Sequence, residues 1–72
     1  MLIIDSDALR RRLIDSQINV ADFARVADLP PATVSQLTRS DRRVTFKTLG
    51  KIAKALAVDF TELVKGDIVN DQ

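Results

Sequence analysis

The stretch LPPATVSQL, Leu29 to Leu37, sets two adjacent prolines between runs that otherwise have helical spacing. Inside a helix, proline removes a hydrogen bond and clashes with the preceding turn; in the first turn its missing N–H had no partner to lose. Pro31 therefore predicts the start of a helix, while Pro30 confines Leu29 to the extended geometry of a turn. Val34 and Leu37, three apart, supply the stripe that this helix buries. Its other face, Pro31, Ala32, Thr33, Ser35 and Gln36, is short-chained, polar or neutral, and free of acid.

Upstream, Asn19 with Asp22 three residues on forms an acidic capping box, and Phe23, Val26 and Ala27 follow at helical spacing, predicting a helix over 20–27. Ala24 is small where this helix has to cross the next one. Before it, Ser6 or Asp5 caps a first helix over 6–16, with Leu9 and Leu13 on one face and Ile14 beside them. Downstream, Thr38-Arg39-Ser40-Asp41-Arg42-Arg43 is polar and aperiodic and reads as a loop. Thr45 caps a fourth helix, in which Leu49, Ile52, Ala53 and Leu56 keep the i, i+3, i+4, i+7 pattern that Gly50 slightly weakens. Asp59 with Glu62 is a second capping box, opening a short fifth helix that Gly66 ends at C′. The β-branched runs Leu2-Ile3-Ile4 and Ile68-Val69 stand outside the helical pattern; they either pair as two antiparallel strands or fray and pack on the core. The expected architecture is all-α, five helices in a single domain over 1–72, with that two-stranded sheet as the open addition.

Composition narrows the function. The 72 residues include no Cys and no His, which excludes a disulfide framework and the usual zinc sites. With Tyr also absent, acid–base and nucleophilic chemistry would fall to carboxylates, Lys, Ser and Thr; no Gly-rich phosphate loop or clustered acid pair is present. An enzyme is therefore not expected, nor is a cofactor, a metal or a small-molecule ligand. No apolar run approaches the roughly 20 residues that span a bilayer, and no basic region precedes Met1–Ile4 as a secretory signal requires. With only three aromatics, all Phe, the core must be aliphatic.

The net charge of +1 conceals an asymmetry: residues 39–54 carry +5 and residues 55–72 carry −3. A basic segment set apart from an acidic one fits a polyanion-binding face. Residues 19–39, a capped helix, a tight turn and a proline-started helix, form a helix-turn-helix unit. In such units the start of the second helix meets base edges in the major groove, where carboxylates would be repelled by phosphates. The arginines that follow then lie where phosphates pass.

Residues 9–64 resemble the helix-turn-helix domain of the phage repressor and Cro family, also called Xre-type regulators. The likeness rests on INVADFARVADLPPATVSQLTRS (residues 18–40) and TLGKIAKALAVD (residues 48–59). It implies a five-helix domain whose second and third helices bind DNA, with members acting on operators as homodimers. Carried over by position, Pro31, Ala32 and Gln36 fall where the family reads bases, with Thr33 adjacent. Ser35, Arg39, Ser40, Arg42, Arg43 and Thr45 fall where backbone phosphates are contacted. Three departures stand out. Val20 replaces the common Gln at the start of helix 2. Thr38 and Leu13 replace a Glu of helix 3 and its Arg partner of helix 1, and Asp28 replaces the turn glycine.

Phe60, Leu63, Val64, Ile68 and Val69 exceed what one small core absorbs, so the segment 58–70 is read either as a dimer surface or as inner packing. Arg10, Arg11 and Arg12 read as a solvated face offset by Asp5, Asp7 and Asp15. Lys47 and Lys51, four apart, either share a functional face or are ordinary surface lysines. The expected function is a dimeric, sequence-specific transcriptional regulator on a palindromic operator, a repressor of phage or mobile-element type acting in the cytoplasm at the nucleoid. The rival readings are a DNA-binding antitoxin and a protein-interaction module on the same fold.

Overall fold

The computed structural model describes residues 2–67. Strand β1 (Leu2–Ile4) leads into α1 (Ser6–Asp15), α2 (Val20–Ala27) and α3 (Pro31–Arg39). Strand β2 (Arg42–Val44), helix α4 (Phe46–Leu56), a 3-10 turn (Phe60–Leu63) and strand β3 (Val64–Asp67) complete the described residues. Among the described residues the fold is thus mostly helical with a small antiparallel sheet, as expected in outline, but with four α-helices instead of five and three strands instead of two. Among the described residues no helix is long and apolar enough to cross a membrane.

Helices α1, α2 and α4 start where their caps predict, and α3 starts at Pro31 without a side-chain cap. Asn19 accepts from the Asp22 N–H at 2.8 Å, and Thr45 accepts from the Thr48 N–H at 3.1 Å. Asp5, not Ser6, caps α1, accepting from the N–H groups of Asp7 and Ala8. Helices α1, α2 and α4 end alike. Gln17, Asp28 and Ala57 take left-handed φ values of 55°, 61° and 58°. The next residues, Ile18, Leu29 and Val58, donate back to Leu13, Ala24 and Ala53. This is the closing motif that usually recruits glycine, yet no glycine occupies it in any of the three.

The sheet has the order β2-β1-β3. Leu2, Ile3 and Ile4 face Val44, Arg43 and Arg42 on one side, so part of the segment read as a loop is a strand. On the other side Ile3 faces Gly66 and Ile4 faces Val64, which leaves Lys65 as the extra residue of a bulge. The expected fifth helix is therefore only the 3-10 turn capped by Asp59, and Gly66 lies inside β3 instead of closing a helix. Glu62 reaches across to Arg12 of α1 instead of completing a capping box. Leu2-Ile3-Ile4 does pair, but within the described residues its partners are β2 and β3; Ile68 and Val69 lie outside them.

The core is aliphatic around one ring: Phe23 packs with Ile4, Leu9, Val34, Leu49, Ile52 and Leu63, all fully buried. Leu63, expected at a dimer surface, is thus interior, and Val64 packs against the same cluster. Two stripe residues turn outward. Ile14 is 69% and Val26 63% exposed; Ala24, expected where α2 crosses the next helix, is fully buried.

Candidate nucleic-acid interface

Helix α3 buries only Val34 and Leu37 and presents Pro31, Ala32 and Gln36 to solvent, with Thr33 and Ser35 half-buried. No acidic residue lies anywhere along it. Pro30 is its N-cap and Pro31 its first residue, so two donors that a helix start ordinarily exposes are missing. The prolines therefore fix the direction of the helix without arming its tip as an anion site.

Both ends of α3 are clamped to the rest of the protein. At the entrance, the Asp28 carbonyl accepts from Lys51 Nζ at 3.3 Å, and the Asp28 carboxylate lies 3.6 Å from the same ammonium. Lys51 thus belongs to the turn and is not a free partner of Lys47. At the exit, an Arg10 guanidinium nitrogen donates to the Thr38 carbonyl at 2.7 Å. At Leu13 and Thr38, where the resemblance implies a side-chain ion pair, the contact instead runs from one turn earlier in α1 to the backbone of α3. Leu13 itself is buried in the core. Arg10 also pairs with Asp7, so of the three consecutive arginines it is a structural tie, as is Arg12 through Glu62.

Beside α3 opens a shallow groove. Thr33, Gln36 and Leu37 form one wall; Arg42, Arg43 and Val44 form the other. Thr45 and Thr48, at the start of α4, close its end. The fold therefore brings together two of the four expected base-reading residues and three of the six expected phosphate-contacting ones. Pro31 and Ala32 lie outside the groove at the exposed start of α3. Ser35 and Arg39 run along the helix, joined by a hydrogen bond of 2.9 Å from the guanidinium to the hydroxyl; Ser40 is exposed just past its end. Thr48 was not singled out from the sequence. Its signal is positional: three residues after the N-cap Thr45 it must lie in the first turn of α4, whose partial positive charge faces the groove.

The charges around the groove are arranged by pairing. Asp22 binds Arg25, Asp28 binds Lys51, and Asp41 binds Lys65. Among the described residues, Arg39, Arg42, Arg43, Lys47 and Lys54 form no salt bridge and are exposed, so their charge is available to an outside polyanion.

A proline-directed, acid-free helix paired with a capped helix across a left-handed turn is the geometry of a DNA-reading unit, and residues 8–66 match the Cro/C1-type HTH DNA-binding domain. The chain belongs to this family. No curated protein and no solved structure matched the chain. Membership of the Cro/C1 family makes it a DNA-binding regulator. Within the matched residues α2 and α3 pack on each other, with α1 against α3 and α4 against α2.

Proposed function

We propose that the protein is a sequence-specific transcriptional regulator that binds a palindromic operator as a homodimer and acts as a repressor of the phage or mobile-element type. Helix α3 enters the major groove, with Pro31, Ala32, Thr33 and Gln36 against base edges. Gln36 pairs with an adenine edge and Ala32 packs on a thymine methyl. Ser35, Arg39, Ser40, Arg42, Arg43 and Thr45 contact phosphates on either side.

The observation that carries this reading is one groove in which Thr33 and Gln36 of the acid-free helix α3 face Arg42 and Arg43, both exposed and without a salt bridge among the described residues. A single module of this size buries too little surface for tight binding, which favours a dimer on half-sites about one helical turn apart. Of the described residues in the segment expected to form that dimer surface, Phe60, 44% exposed on the 3-10 turn, is the one left open to a partner, Leu63 being buried and Val64 packed on the core. Ile68 and Val69, assigned to the same surface, lie outside the described residues. As a cytoplasmic regulator it would work at the nucleoid, where its operator is.

Selection of bound duplexes from a random pool tests the reading. An enriched inverted repeat with half-sites about 10 base pairs apart is the expected result. A pool that stays random at every position would contradict sequence-specific binding.

A further inference from the structure

Asp41 is the one acid in the most basic stretch of the chain, residues 39–54. Placed between Arg39 and Arg42, it would be expected to repel phosphates and weaken DNA binding. Its carboxylate is instead spent inside the protein. Oδ1 accepts from both the backbone N–H and the hydroxyl of Ser6, each at 3.0 Å, and Oδ2 lies 2.9 Å from Lys65 Nζ.

Each partner is placed to receive it. Ser6 is the first residue of α1 and is buried. With Asp5 N–H bonded to the Leu63 carbonyl and the Asp7 and Ala8 N–H groups bonded to the Asp5 side chain, Ser6 N–H is the remaining orphan donor of that helix start. Asp41, 35 residues away, satisfies it. Lys65 is the bulge residue of β3, and a bulge re-aims the side chain it inserts. The two-residue link Ser40-Asp41 is all that joins α3 to β2, and its far side is held at the end of α3 by Arg10 on the Thr38 carbonyl.

We propose that Asp41 is a positioning residue for DNA binding: by bonding Ser6 of α1 and Lys65 of β3 it fixes the start of β2, and so the placement of Arg42 and Arg43 beside the recognition helix. The negative charge raises affinity because it holds two cations in register with α3. This inference rests on the DNA-binding reading above and adds to it a residue that touches no DNA.

The test uses the full chain, a duplex selected by the wild type, and anisotropy titrations across a salt series. Asp41→Ala should bind about fivefold or more weakly although it gains net positive charge, and its salt slope should fall by about one unit as an arginine contact is lost. Asp41→Asn keeps an oxygen for Ser6 and should recover part of the loss. A purely stabilising role would leave the slope of the folded fraction unchanged. If Asp41→Ala does not fold, Asp41→Asn carries the test, with weaker binding than wild type and faster amide exchange over residues 42–44. Tighter binding by either variant, or an unchanged slope in the folded variant, overturns the proposal while leaving DNA binding intact. A wild type that binds no duplex overturns both.

Discussion

Arg10 of α1 donates to the Thr38 carbonyl at 2.7 Å, and this bond holds the last turn of α3 against α1. A carbonyl at a helix C-terminus carries partial negative charge, so a guanidinium there is favourable without a carboxylate partner. Arg10→Ala should therefore cost about 0.5–1 kcal/mol, lowering Tm by roughly 3–6 °C in a chain of this length. Thermal unfolding followed by circular dichroism measures it, and an unshifted midpoint would show the bond to be idle.

Much of the frame was legible because its signals are local. Asn19, Pro31 and Thr45 act within three residues of themselves, and each starts its helix where its chemistry predicts. Asp28 likewise takes the left-handed turn for which it replaces glycine. The strand Arg42–Val44 was not legible, because its partner is Leu2–Ile4, some 40 residues earlier, and Arg-Arg-Val shows no alternation. For the same reason the 3-10 turn passed for a helix: its cap is genuine, but β1 draws the next residues into the sheet. Val26 was misplaced because helical spacing gives a stripe without saying where its centre lies; the close crossing of α3 selects Ala24. Of the site, the residue types were readable and the groove was not, since its second wall is the unforeseen strand.

Ala57 is an exposed alanine held at φ 58°. Glycine meets no Cβ penalty in that conformation, so Ala57→Gly should stabilise the protein by about 0.5–1 kcal/mol, net of the greater freedom of the unfolded chain. The denaturant midpoint should rise with no change in slope. A lower midpoint would mean that the α4 terminus depends on the alanine methyl.

Hydrogen bonding from the Ser6 N–H, then from Lys65, and then from the Ser6 hydroxyl holds the Asp41 carboxyl down at about 2, from its ordinary 3.8. The Lys65 ammonium is shifted upward by the same contact, and Asp5 and Asp7 add to its shift. Since the folded state releases the Asp41 proton more readily than the unfolded chain, its contribution is fully present well above pH 3.8. It is lost as the pH falls from there through about 2. Asp41→Asn should therefore flatten the acid side of the stability curve in that window, as measured by urea midpoints. Parallel curves for wild type and variant would remove the linkage.

Phe60 is exposed on the 3-10 turn while its neighbour Leu63 is interior. Phe60→Asp should consequently leave the fold intact and convert dimers to monomers in sedimentation velocity. A variant that still sediments at twice the chain mass would place the dimer contact elsewhere, with the exposed Ile14 and Val26 the next positions to vary.

The most direct test compares Gln36→Ala with Arg43→Ala on the selected operator and on single-base variants of it. Loss of Gln36 should cost about 1–3 kcal/mol at the base pairs it reads and little at the others, whereas loss of Arg43 should weaken every duplex alike and flatten the salt slope by about one unit. A Gln36→Ala protein that loses the same affinity for all sequences would contradict base reading by α3.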